Sequence, residues 1–456
     1  MKKCFLLMIA VMMFYSCSQK VQENAQWRGE NRDGVYHETG LLKEWAAGGP
    51  QLLWSFEGLG EGFSSVAVAN GKAYVAGMPD DDDLVLFVFD LSGKLLNRKV
   101  VGKEWNTSFP GSRCSPLIHE GKLYLGNSLG QLFCLDEATL DEIWKIDAIR
   151  DFDGRNIMFG VTENPLIVGD KIFWTPGGVN NNMLALNKDT GELIWSSTGT
   201  GTLSTYCSPM FIDGYSVPMV ITYMAAEQQQ DMGGPGGGFG GPPPGAPGPG
   251  GQGGRPGGLG GGGGPGGGPP AARPMQENKL VAFNANTGEV IWTHTQPSGN
   301  TINPNTPIYS NGHIFTSTGY GGGSWLLRLI DGGRNVEQVW HNIADNQHHG
   351  PVKVGDYVYT TAQTNRGFHC INWKTGETMF RENNHAQGVL IYADGMIYCY
   401  DDRGFVSLIK PTTDRFEVVS SFEITLGTNQ HWAHPVIRDG VLYIRHGDAL
   451  MAYKIK

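Results

Sequence analysis

The sequence predicts an all-β protein: an eight-bladed β-propeller of four-stranded antiparallel blades, closed by pairing of its N- and C-terminal strands. Three observations predict it. A hairpin turn of Gly beside Asn, Asp or Glu recurs at Asn70-Gly71, Glu120-Gly121, Gly169-Asp170, Asp213-Gly214, Asn311-Gly312, Gly355-Asp356, Asp394-Gly395 and Asp439-Gly440. Neighbouring turns stand about 40 to 50 residues apart, the length of one blade, except for one interval near double that length. A second motif, A-x-N-x-x-T-G-x-x-x-W, is complete at Ala185–Trp195 and at Ala282–Trp292, with degraded copies at Cys134–Trp144 and Cys370–Phe380. Finally, the last repeat stops after a third strand at Leu450–Ile455, while an orphan fourth strand, Pro50–Phe56, stands near the beginning. Pairing the two ends closes the ring and removes its exposed edges.

Taken in order, residues 1–16 read as a lipoprotein signal peptide. Lys2 and Lys3 precede an apolar stretch, Cys4 to Tyr15, too short to span a bilayer. Phe14-Tyr15-Ser16-Cys17 resembles a bacterial lipobox, with Phe where Leu is usual, so Cys17 is the expected lipidation site. Ser18 rather than Asp follows, which directs the protein to the outer membrane. Residues 17–25 form a tether, and 26–456 form the propeller.

Within one repeat, Pro165–Trp195 shows how the blade is encoded. Two apolar runs flank Gly169-Asp170, where Gly and Asp suit a primed hairpin turn. A third strand follows, and the Asn187–Gly191 turn is held by Asx and Thr side chains with Gly in the left-handed position. Trp195 then wedges between neighbouring blades as a structural residue. Residues 228–275 interrupt one blade between its second and third strands. Gly and Pro dominate there, with too few apolar side chains to offset ordering entropy, so the segment is expected to be disordered. It lacks the strand, helix and Lys context of a phosphate-binding loop.

Composition narrows the function. The chain of 456 residues is 40% hydrophobic with a formal net charge of -10 and no basic cluster, which argues against nucleic acid as a partner. Only the lipid anchor ties it to a membrane. Of seven cysteines, Cys114, Cys134, Cys207, Cys370 and Cys399 remain after the signal and anchor are set aside. An odd, dispersed set is no disulfide framework, and buried strand thiols are expected. No cysteine pair has metal-site spacing, and no metal ligands are expected. Asp80–Asp83 lacks the Gly and terminal Glu of an EF-hand and reads as a solvated loop.

Chemistry in a propeller sits where the first strands enter the central channel. Aligned on the Pro that opens each first strand, those entries carry Arg113, Glu163, Tyr206, Asn305, His348, His349, His385, Trp432 and His434. Convergent polar groups in a concavity are the default signal for a ligand site.

The repeats resemble the pyrroloquinoline-quinone-like propeller family, and the opening Gln26-Trp27-Arg28-Gly29-Glu30-Asn31-Arg32-Asp33-Gly34 resembles that of its lipoprotein-type members. That family includes quinoprotein dehydrogenases and an outer-membrane assembly lipoprotein that binds no quinone. The resemblance therefore implies a monomeric, membrane-anchored propeller facing the periplasm, with the cell surface as the other location. It would bind an outer-membrane or periplasmic protein, or a small oxygen-rich ligand, without cofactor or catalysis. The alternative is an alcohol or sugar dehydrogenase using pyrroloquinoline quinone and Ca2+, with Glu163 and Asn305 contributing to a metal–quinone site. Against it, the adjacent-cysteine pair of many such enzymes and a C-x-x-C-H haem motif are absent from the sequence.

Overall fold

Each of the eight predicted turns joins the first two strands of a separate antiparallel sheet in a computed structural model, which describes residues 22–225 and 275–456. Numbered in chain order by first strand, the blades open at Ala67, Leu117, Leu166, Met210, Ile308, Val352, Gly388 and Val436, and a short extra strand, Leu203–Ser204, also pairs with the second strand of blade 4. Blade 3 is representative: Leu166–Val168, Lys171–Trp174, Met183–Asn187 and Leu193–Ser197 pair as a simple meander. Blade 8 is the shared one. The strand Gln51–Glu57 runs antiparallel to Ala449–Lys454, from Leu52 opposite Tyr453 to Glu57 opposite Ala449.

Apolar alternation buries the blade faces against one another. Tyr74 and Leu86 of blade 1, for example, pack in one cluster with Leu123 and Phe133 of blade 2. The Trp motif couples blades more specifically. A bulge in the fourth strand leaves Ile194 exposed and turns Trp195 inward, opposite Ala185. Its indole nitrogen donates to Ala285 O of blade 4 at 3.2 Å, and its ring covers Gly288 of the same turn. Trp54 on Leu91 and Gly93, Trp144 on Lys188 and Gly191, and Trp340 on Trp373 and Gly376 repeat the arrangement. The turn Gly is therefore required twice over. Gly288 has φ +77°, and a Cβ there would lie 2.5 Å from the Trp195 ring.

The strands on either side of the Gly/Pro-rich insert, Met219–Ala225 and Gln276–Asn284, are paired neighbours in blade 4. All but Met275 of that insert, the signal segment 1–16 and Cys17 lie outside the described residues. Glu23 and Ala25, read from sequence as tether, are tied to the propeller: Glu23 accepts from Asn70 N at 2.9 Å and pairs with Arg438, and Ala25 bridges Ile118.

From there the chain crosses the face that carries the first-to-second-strand turns. It ends as a short parallel strand, Val35–Tyr36, on the first strand of blade 7. On the way it drives two arginines into the channel. Arg32 donates to Asn164 O, Pro165 O and Pro209 O of blades 3 and 4. Arg28 donates to Pro351 O and Leu390 O, at the entries to blades 6 and 7. Both sit in the left-handed region at φ 60° and are buried, so the segment is a plug that closes one end of the channel.

Candidate functional site

The entries to the first strands gather on the face opposite those turns, and their first layer is a stitch between blades. Ser65 N donates to Ser115 Oγ, Ser115 N to Asn164 Oδ1, and Asn164 N to Ser208 Oγ, at 2.7–2.9 Å. Thr306 Oγ1 closes on Ser208 O at 2.8 Å. The equivalent cysteines belong to the same layer: Cys114 Sγ donates to Glu163 O and Cys207 Sγ to Asn305 O. Burial pushes both thiols well up, to about 12 for Cys207, so they remain protonated. All five described cysteines are free and buried.

Three of the predicted residues serve this internal framework. Glu163 is 2% exposed, and its Oε2 accepts from the backbone N and the hydroxyl of Thr175. Burial raises its carboxyl well above the usual range, against the pull of nearby Arg32. Asn305 donates to Ser317 O, Asn346 O and Gln347 O and accepts from Gly350 N. His434 lies against the plug. Its Nδ1 accepts from Arg28 Nη1 at 3.0 Å, which leaves Nε2 to donate to His348 O at 3.2 Å. Burial and the adjacent Arg28 cation hold that ring neutral.

Five others meet at the mouth. Trp432 packs on His348 at 5.0 Å, on Phe63 at 5.3 Å and on Phe109 at 5.2 Å between ring centroids. The arc continues from Phe109 to Phe159 and then to Tyr206, whose hydroxyl accepts from Phe159 N. Arg113 braces it from below by donating to Ser108 O, Phe109 O and Phe159 O. Its charge bears on buried Glu104, whose carboxyl burial pushes up to about 7. His349 stacks on His348 at 4.0 Å, and its Nε2 meets Asp402 Oδ1 at 2.9 Å. Burial, with His349 adding to it, pushes His348 down to about 3, so that imidazole is neutral. His385 stands apart, packed on Phe368 and Phe416 between blades 6 and 7.

Sequence reasoning passed over Phe63, Phe109, Phe159 and Asp402, because the loops that carry them do not align on the strand-opening Pro. It also passed over Arg28 and Arg32 as channel residues. The dense Arg, Gly and Asp pattern at 28–34 was the available signal, since Gly and Asp mark tight turns and strained turn residues cluster at functional segments.

The Glu163 and Asn305 side chains do not fit a metal–quinone site. Asn305 makes its hydrogen bonds within the framework, and Thr175 holds Glu163 Oε2 while the Arg32 charge acts on the carboxyl, so only Glu163 Oε1, which has no hydrogen-bond partner among the described residues, is left to offer a ligand atom.

The sequence profile of the family described as outer membrane protein assembly factor BamB matches residues 42–211 and 271–382, more than half of the chain. The chain belongs to this family of quinoprotein-like propellers. The plug residues 26–34 precede the matched range. Among curated relatives, a segment is 29% identical over 126 residues to quinoprotein alcohol dehydrogenase PedH of Pseudomonas putida, covering 26% of this chain and 21% of that enzyme. Another is 29% identical over 96 residues to 1-butanol dehydrogenase (quinone) of Thauera butanivorans, covering 20% of this chain and 15% of that enzyme. The matches thus span about a fifth or less of those relatives. Among solved structures, BamB from Moraxella catarrhalis superposes with TM-score 0.54 at 12% identity, over 89% of this chain and 98% of that one. A europium-containing methanol dehydrogenase gives TM-score 0.60 at 12% identity, over 93% and 90%. These likenesses establish the propeller fold. No helix among the described residues is long and apolar enough to cross a membrane.

Proposed function

We propose that this protein is a lipid-anchored propeller of the cell envelope that binds a protein partner at the open mouth of its channel and carries out no chemistry there. The observation that carries this reading is the division of labour around the channel. The plug fills one end, and the polar entry residues join blade to blade. At the mouth stands an arc of large apolar rings, Phe63, Phe109, Phe159 and Trp432, of which Phe109 is exposed and the others half-buried. Phe109 is 39% exposed, and neighbouring Met158 is 53% exposed. Aromatic side chains on a rigid rim suit protein recognition because they bury large areas with few rotatable bonds, and Met adapts its shape to a partner. Membership in a family described as an outer-membrane assembly factor, together with the lipobox at Cys17, supports placing it at the outer membrane.

The competing reading is a quinoprotein dehydrogenase of alcohols or sugars, supported by the matched segments of PedH and the butanol enzyme. Two measurements separate them. A photo-crosslinking residue at Phe109 in intact envelopes should yield a discrete protein adduct, while the same residue at Val100, on the outer strand of blade 1, should not. Substrate-dependent dye reduction appearing only with added pyrroloquinoline quinone and Ca2+ would overturn the non-catalytic reading.

A further inference from the structure

Beside the aromatic arc, one cluster is not explained by binding a protein partner. His348 and His349 enter blade 6, and Asp402 sits in the turn after Met396–Asp401 of blade 7. One nitrogen of each ring and one oxygen of the carboxylate all lie within 4.8 Å of one another. We infer that His348, His349 and Asp402 form a binding site for a divalent first-row transition metal of the zinc class, at the mouth of the channel.

The chemistry of the donor set points to this class of ion. Two imidazole nitrogens with one carboxylate suit Zn2+ or Co2+, whereas Ca2+ takes six to eight oxygens. The backbone is fixed on every side. His349 N donates to Asn346 Oδ1, Leu390 N to His349 O, Asp402 N to Gln387 O, and His434 to His348 O. The spacing is close to that of a coordination shell. Bonds of 2.0–2.1 Å in a tetrahedron set ligand atoms roughly 3.3 Å apart. The His349–Asp402 pair, at 2.9 Å, is near that value, and His348 needs to close by on the order of an ångström.

A hydrogen bond between His349 and Asp402 alone leaves a deficit. His348 Nε2 and His349 Nδ1 are both buried without a partner among the described residues. Unpaired buried nitrogens are unfavourable, and an ion accepted by His348 relieves one of them. Access exists through Asp402, whose side chain is 33% exposed while that of His349 is 1% exposed. Three protein ligands leave one tetrahedral position for water or for a donor atom of whatever docks on the arc.

The test uses the full chain, free of any histidine tag, stripped with chelator and titrated with Co2+ followed by visible absorption, then with Zn2+ by calorimetry. One equivalent of Co2+ should develop the intense bands of a low-symmetry site, and Zn2+ should displace it. Asp402→Asn should weaken Zn2+ binding by at least roughly tenfold, and His349→Ala should abolish the cobalt spectrum. His385→Ala, a histidine on the same face outside the cluster, should change neither. Because His349 is buried, metal-free melting of each variant is measured alongside. The conclusion then rests on Asp402→Asn if His349→Ala unfolds. A cobalt spectrum no different from the free ion, or Zn2+ affinity unchanged in Asp402→Asn, overturns the site. Neither result bears on partner binding at Phe109, which the crosslinking experiment reads separately.

Discussion

Replacing Gly288 by Ala tests whether the repeated Trp–Gly contact holds the ring together. The substitution acts twice. It places a Cβ on a residue at φ +77°, which disfavours the native backbone by about 1 kcal/mol. It also sets that Cβ 2.5 Å from Cε3 of Trp195 on the preceding blade, where overpacking adds about 1–3 kcal/mol. Gly395 provides the control, with φ +80° and nothing within 4 Å of an added Cβ. Gly288→Ala should therefore destabilise by about 2–4 kcal/mol and Gly395→Ala by about 1 kcal/mol, read from urea unfolding followed by circular dichroism. Removing the ring should remove the difference: in a Trp195→Ala background, Gly288→Ala should fall back to about 1 kcal/mol, a coupling of about 1–3 kcal/mol. Equal losses at Gly288 and Gly395, within about 0.5 kcal/mol, would show that the turn needs Gly for its backbone alone.

Three further outcomes are expected. Deleting Leu52–Phe56 should abolish cooperative unfolding, since it removes one side of the strand pair that closes blade 8, and deleting Tyr453–Lys456, which takes away the Leu52 and Gln51 partners at one end of that pair, should weaken it; unchanged transitions would refute closure. Glu104 should make stability fall as pH rises. Its folded carboxyl titrates near 7 against 4.5 for the free group, so its contribution is complete below about pH 4.5. That contribution is lost towards pH 7, by roughly 3 kcal/mol. Glu104→Gln keeps the acceptor for Trp105 N and Ser128 N and should flatten that part of the slope in denaturation at pH 5 and 7.5; a slope identical to the parent protein would refute it. Cys17→Ser should move the protein from the membrane fraction to the soluble fraction, and a soluble parent protein would contradict lipidation.

The sequence by itself determined the architecture, because a propeller is written locally. Each turn pair fixes a hairpin within a few residues, and side-chain alternation with period two fixes which face is buried. The spacing of repeats then counts the blades, and the complementary strand fragments at Pro50–Phe56 and Leu450–Ile455 announce their own pairing. The Trp of the repeat was legible as a wedge for the same reason.

Only the tertiary structure decided what the channel entries do. Their polar residue types were visible, but whether Asn305 faces a ligand or a neighbouring carbonyl depends on the blade beside it, which sequence spacing does not specify. The same limit hid Asp402 beside His349, 53 residues away in sequence, and Trp432 on Phe109. It also hid the plug, where Arg28 and Arg32 reach carbonyl groups on opposite sides of the ring, as far along the chain as Leu390. Local rules hold within one hairpin. A site built from many blades depends on ring closure, which brings residues together whatever their separation along the chain.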